Sequence, residues 1–202
     1  MKIKNDILAL IILCTAVTAC VKDKLETTYS KQETQIDAYL AKNNTAERTS
    51  IVTEKDPETG EEIEKTIEWT DTLRIEYNNG SVRLVQTEGT GEELTEHGAV
   101  SFYYAGYVFN SSPSGLFATN HQETAEKAGF VLTDADYTIF EADMRNVELL
   151  EGVRNGLIGV RSGEECEILF SGKHAYGNDP FGIIPANSAL LFKIWVVGVS
   201  ND

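Results

Sequence analysis

The sequence predicts an α+β fold, a mostly antiparallel β-sheet over one short helix. Three observations carry that prediction. Apolar and polar residues alternate over many short runs, the period of a half-buried strand. Turn sequences join these runs, most clearly Asn78-Asn-Gly-Ser81. In the C-terminal half a single stretch, residues 149–157, sets its apolar side chains (Leu149, Leu150, Val153, Leu157) on one helical face. A chain of 202 residues with 42% hydrophobic content suffices for one packed core but not for two large ones. Its net charge of −15 argues against nucleic acid as a partner, which requires a basic patch, and against docking on an anionic membrane by charge. Cys14, Cys20 and Cys166 are too few for a disulfide scaffold or a thiolate zinc site.

In chain order, residues 1–4 are short and positive, and residues 7–17 form an apolar run of signal-peptide length, short of the roughly 20 residues that span a bilayer. The run ends in Val17-Thr-Ala-Cys20, which resembles the lipobox of bacterial lipoproteins, where a small residue precedes a Cys that takes a diacylglycerol. The resemblance implies that residues 1–19 are a cleaved signal peptide and that Cys20 is lipidated. It also implies attachment to the bacterial cell envelope, at the outer membrane facing the periplasm or the surface. Residues 20–81 form an N-terminal extension. Within it Ile36, Tyr39 and Leu40 suggest a short amphipathic helix, and residues 51–55 and 62–69 a β-hairpin turned by Asp56-Pro-Glu-Thr-Gly60. The acidic run 58–64 reads as the solvated face of that hairpin, lacking calcium-loop spacing. Residues 73–77 and 82–85 form a second hairpin across Asn79-Gly80.

The C-terminal half opens with an aromatic strand, residues 100–109, broken by Ser111, Ser112, Pro113 and Gly115. Residues 122–135 carry few large apolar groups and are expected to add little to the core. Cys166 alternates with Ile168 and Phe170 as a buried strand residue, its acidic neighbours Glu165 and Glu167 arguing against a nucleophilic thiolate. In the last strand Leu190, Phe192, Ile194 and Val196 face one way. His97, His121 and His174 are isolated and read as surface or loop residues rather than metal ligands.

Three segments then occur in a telling order: Gly156-Leu-Ile-Gly-Val-Arg-Ser-Gly-Glu164, Ala175-Tyr-Gly177 and Gly182-Ile-Ile-Pro-Ala-Asn-Ser-Ala-Leu-Leu-Phe192. With Tyr103-Tyr-Ala-Gly106 upstream, they resemble the FKBP-type peptidyl-prolyl isomerase family from about Val82 to Val199. The resemblance implies an FKBP-like domain over residues 82–202, a twisted antiparallel sheet wrapped around a short helix. It implies an apolar pocket for the proline of a polypeptide partner, with no metal, no cofactor and a monomeric chain. Tyr104, Phe117, Tyr176 and Phe192 take the catalytic positions, Tyr176 as hydrogen-bond donor. Leu149, Leu150, Val153 and Ile184 take substrate-binding ones, Ile184 in the flap and Leu150 where the family binds a substrate carbonyl through its backbone N–H. Val153 stands where the family often has Trp or Leu.

Two departures accompany the match. The family's Phe-Asp reads Phe117-Ala118 here, so the carboxylate that partners Tyr104 is missing. The segment between Phe117 and Leu149 is also longer than usual, leaving Phe130, Tyr137 and Phe140 as candidates for the remaining wall and placing residues 122–135 at the pocket rim. The expected activity is therefore isomerisation of Xaa-Pro bonds in envelope or secreted proteins. The other reading is a catalytically degenerate binding module that holds a protein or glycan partner at the envelope.

Overall fold

Strand alternation and turn chemistry produce twelve α-helices and β-strands among the described residues of the computed structural model. It describes residues 2–57, 59, 61–130, 133–146 and 148–202, with the side chains of residues 2–21, 134 and 135 left aside. The Cys20 side chain, Glu58 and Gly60 thus lie outside the described residues. In chain order the elements are α1 (Lys2–Asn43), β1 (Thr45–Lys55), β2 (Glu62–Thr72), β3 (Arg74–Asn78), β4 (Ser81–Thr87), β5 (Ala99–Phe109), β6 (Pro113–Thr119), α2 (Gln122–Ala128), β7 (Phe140–Asp143), α3 (Glu151–Leu157), β8 (Glu165–Phe170) and β9 (Ala189–Ser200). Strands β3-β4-β8-β9-β5-β6 follow one another across one sheet, with β7 paired to β5, and every pairing is antiparallel. The α+β architecture is the one expected. The sheet begins at Arg74, ahead of the Val82 boundary, because β3 pairs with β4 from Arg74↔Val85 to Asn78↔Ser81. Both turn residues, Asn79 and Gly80, have positive φ (44° and 84°), as a two-residue hairpin requires.

The alternation in β9 sorts two cores. Leu190, Phe192, Ile194 and Val196 share one core with Phe102, Ile168 and Phe170 and with Val153 and Leu157 of α3. On the other face Leu191 and Ala189 join Val82, Leu84, Phe109 and Leu169, and α1 covers them with Ile36 and Leu40. The helix is much longer than the short one read around Ile36. Residues 22–43 hold no Gly or Pro and many good helix formers, and only two of their apolar side chains are deeply buried, so most of the helix carries no periodic signal. The β1–β2 hairpin is tied at its base by the Leu73 N–H to the Asn44 carbonyl (2.8 Å) and by Arg48 to the Gln86 carbonyl (2.6 Å). Beyond that base Ile51, Ile63, Ile67 and Trp69 are exposed.

Helix α3 is held by its carbonyls. Ser81 Oγ donates to Gly152 O (2.7 Å) and Asn78 Nδ2 to Asn155 O (3.0 Å). Arg83 donates to Gly156 O (2.8 Å) and Ile158 O (2.7 Å), which satisfies the helix's C-terminal end. The charge of Arg83 is met by Glu164, fully buried, with Nε and Oε1 3.1 Å apart. A buried pair of this kind costs several kcal/mol once one partner is removed. The helix sits so close to β8 that a Cβ at Gly152 would overlap the Phe170 ring, and one at Gly156 the Ile168 side chain.

That contact generates a prediction of sign. Gly→Ala in an exposed helix stabilises by about 1 kcal/mol. Here Gly152→Ala should instead destabilise by about 1–3 kcal/mol through overpacking, read by urea unfolding. A neutral or stabilised variant would mean that α3 can lift off the sheet without cost.

Candidate functional site

Between α3 and the concave face of the sheet lies a cavity of about 220 Å³ lined by Phe102, Tyr104, Phe117, Ala118, Phe140, Glu148, Leu149, Leu150, Val153, Tyr176 and Phe192. Phe192, on the central strand β9, forms its floor. Its ring stacks on Phe170 (6.0 Å between centroids, 13°) and takes the edge of Phe117 (5.6 Å, 79°). Tyr104 lies 6.4 Å from Phe192 and meets Phe140 edge-on at 6.2 Å (88°). Edge-to-face rings at these spacings give stiff apolar walls. Val153 is buried beneath α3, with Leu149 and Leu150 ahead of that helix at the mouth.

Seven of the eight side chains expected in the pocket are brought together; Ile184 is not. The turn closed by Phe181 and Ile184, whose N–H groups donate to each other's carbonyls (3.0 and 2.8 Å), sends Ile183 to solvent and Ile184 into the main core. Phe181, not noticed in the sequence, instead stacks on Tyr176 (4.7 Å, 8°). Of the three aromatics left open, Phe140 is the wall: β7 pairs with β5 at Phe102↔Phe140, and the two rings lie 5.3 Å apart. Phe117 reaches the cavity because residue 106 is glycine; a Cβ there would overlap the Phe117 ring.

Residues 122–128, expected at this rim, do not stand there, and residues 131 and 132 of the same segment lie outside the described residues. Residues 122–128 form α2, with Ala125 buried, and turn to the opposite face of the sheet. There His121 lies flat on Trp195 (3.9 Å, 9°) and Gln122, Glu123 and Glu126 line a separate cleft of about 430 Å³ with Tyr103 and Tyr137. His121 covers the indole face that would be this cleft's strongest apolar contact. His174 is a loop residue as expected, wedged against Gly80 with Nδ1 3.2 Å from Glu151.

Ala118 lines the cavity where a carboxylate was expected, and sequence reasoning missed the residue that orders this corner, Asn120. Its buried amide accepts the Tyr104 N–H (2.6 Å) and donates to the Thr138 carbonyl (2.9 Å), while Thr119 Oγ1 donates to the Tyr104 carbonyl (2.7 Å). The backbone of Tyr104 is thereby fixed without any carboxylate. Burial raises the Tyr104 hydroxyl above the ordinary tyrosine value of 10.0, and burial with Tyr104 nearby does the same for Tyr176. Both remain protonated donors at neutral pH, and neither hydroxyl has a hydrogen-bond partner among the described residues. The Leu150 N–H is likewise unengaged among them. Cys166 is buried and free, its thiol pushed up by burial first and then by Glu164, so it offers no nucleophile. No His/Cys/Asp/Glu group able to hold a metal occurs among the described residues. The arrangement can bind a compact apolar group between aromatic rings and direct a few N–H and O–H donors at carbonyls beside it. It has no group placed for covalent chemistry.

Residues 91–197 match the family model described as FKBP-type peptidyl-prolyl cis-trans isomerase. The chain is 30% identical over 138 residues to FK506-binding protein 1A of Neurospora crassa, covering 67% of this chain and 95% of that protein. It is 25% identical over 124 residues to the FKBP-type isomerase FkpA of Buchnera aphidicola, covering 61% of this chain and 44% of that one. The crystal structure of a peptidyl-prolyl cis-trans isomerase from Pseudomonas syringae is similar in fold, with a TM-score of 0.52 at 16% identity over 87% of this chain and 95% of that one.

The unpartnered Tyr176 hydroxyl makes a clean test of the site. Tyr176→Phe should leave the melting temperature unchanged within error, since no internal hydrogen bond is lost. It should weaken binding of a prolyl tetrapeptide about tenfold, read by titration calorimetry, in line with roughly 1.4 kcal/mol for one donor. Unchanged affinity would remove Tyr176 from the site.

Proposed function

The chain belongs to the FKBP-type peptidyl-prolyl cis-trans isomerase family, and we propose that its aromatic cavity receives the proline of an Xaa-Pro segment and speeds rotation about that bond. The observation that carries the reading is the pairing of an aromatic-walled cavity with unengaged donors at Tyr104, Tyr176 and the Leu150 N–H. The uncatalysed barrier is about 18–20 kcal/mol because rotation breaks amide resonance, and exchange takes tens to hundreds of seconds. At the twisted state the carbonyl loses charge and the imide loses polarity. Apolar walls therefore favour that state over the planar one, while donors on the flanking carbonyls hold the rest of the peptide still. No proton, electron or metal enters the step.

Rotation without proton transfer has a pH signature. With Tyr104 and Tyr176 both held above their ordinary values, kcat/KM for a prolyl peptide should be flat between about pH 6 and 9. A bell-shaped profile would indicate acid–base chemistry and overturn the reading. Ala118 and Val153, which depart from the family pattern, favour one second reading, a binding module. It is the correct one if the folded chain binds the peptide without accelerating its isomerisation.

The natural substrates in this proposal are exposed Xaa-Pro bonds of envelope or secreted proteins, and the lipobox-like Val17-Thr-Ala-Cys20 supplies the location. A diacylated Cys20 with an N-terminal acyl chain would place about three chains in the bilayer, well past the marginal hold of one. Cys20→Ala should therefore move the protein from the membrane fraction to the soluble envelope fraction on cell fractionation. Unchanged membrane association would defeat the lipid anchor and leave the isomerase reading standing.

A further inference from the structure

The loop spanning residues 172–187 carries Tyr176, and its two ends meet where β8 stops and β9 begins. Gly172 lies so close to the Asn187 backbone that a side chain at 172 would collide with it. Asn187 has a left-handed φ of 58° and donates its N–H to the Gly177 carbonyl (2.5 Å), while the Gly177 N–H donates to the Gly172 carbonyl (3.0 Å). The residue after Tyr176 is thus tied to both ends of its own loop. These ties are in turn held from outside. Gln32, on the face of α1 turned to the sheet, accepts the Gly172 N–H on Oε1 (2.9 Å) and donates from Nε2 to the Asn187 carbonyl (2.5 Å). Tyr29, one turn earlier, donates its hydroxyl to Asn187 Oδ1 (2.7 Å).

A primary amide is one of the few side chains that can serve an N–H and a C=O with the same end, which is what two meeting chain segments present. Ile36 and Leu40 fasten the same helix into the outer core, so the amide is supported from a packed surface rather than from solvent. We propose that Gln32 is a positioning residue of the isomerase site. From the face of the sheet away from the pocket it clamps the two ends of the loop, and through Gly177 it sets Tyr176 in the pocket wall. The inference rests on the isomerase reading for its effect on rate, but the clamp itself can be measured independently. Releasing it lowers the population of loops with Tyr176 in place, which weakens apparent substrate binding in proportion.

The test uses the full chain with Gln32→Met, which keeps side-chain length and removes both hydrogen bonds, and Tyr29→Phe as a milder variant. Gln32→Met should speed amide exchange at Gly177 and Asn187 about tenfold and raise KM for a prolyl peptide about fivefold with kcat little changed. Tyr29→Phe should move both readouts in the same direction by less. Tyr39→Phe is the control, because it cuts a different bond from α1, to Glu167 Oε2 (2.7 Å), without touching the loop. It should lower the melting temperature while leaving loop exchange and KM alone. Unchanged exchange and KM in Gln32→Met, or equal shifts in Tyr39→Phe, would overturn the proposal. If the wild-type chain does not accelerate isomerisation at all, it is the isomerase reading that fails, and exchange at Gly177 and Asn187 alone decides whether Gln32 holds the loop.

Discussion

The distance between α3 and β8 governs the rest of the site. Helices usually pack on sheets through a layer of side chains, but here Gly152 and Gly156 remove that layer and let backbone rest on Phe170 and Ile168. The short helix then lies low enough for Val153 to close the cavity from above and for Leu149 and Leu150 to stand at its mouth. Such closeness needs an attractive counterpart, since seven residues of helix have little stability of their own. The β3–β4 hairpin provides it through Asn78, Ser81 and Arg83, which take up four carbonyls in and just beyond the helix. Arg83 can be buried there only because Glu164 is buried beside it. One buried ion pair and two glycines thus set the depth of a cavity that neither of them touches.

The cavity fits a reaction that asks little of individual functional groups. Most of the lining residues are aromatic, and the two tyrosine hydroxyls among them are donors that stay neutral. An apolar wall discriminates between a planar and a twisted amide because the two differ in charge separation, a difference that water would mask. Position 118 carries no carboxylate, and Asn120 and Thr119 hold the Tyr104 backbone from both its N–H and its C=O by neutral hydrogen bonds. The wider cleft on the opposite face has more room but is already filled where it matters, by His121 lying on Trp195.

Much of this was legible in the sequence because it depends on local chemistry. Asn79-Gly80 dictates its turn through backbone sterics, and the alternation in β9 dictates which of its side chains face the cavity. What could not be read depends on contacts between distant segments. Choosing Phe140 among three aromatics requires the β5–β7 register, which only the folded sheet defines. Ile184 was misplaced because a tight turn exchanges the directions of neighbouring side chains, and Ile183 and Ile184 are chemically identical. The direction of α2 rests on a ring stack between residues 74 positions apart in sequence, His121 and Trp195. Among the described side chains of α1, those of residues 22–43, only two are deeply buried in the outer core, too few to mark the helix.

The strand order has a temporal consequence. The last strand, β9, is not at an edge but between β8 and β5, and β5 in turn holds β6 and β7. Until residues 189–200 are available, the sheet consists of two separate pieces, β3-β4-β8 and β5-β6-β7, with their facing apolar sides uncovered. Pairings between segments so distant in sequence pay loop-closure entropy before they return any stability, which makes such folding slow. Completion of the core therefore waits on β9, which must enter between the two pieces whichever of them forms first.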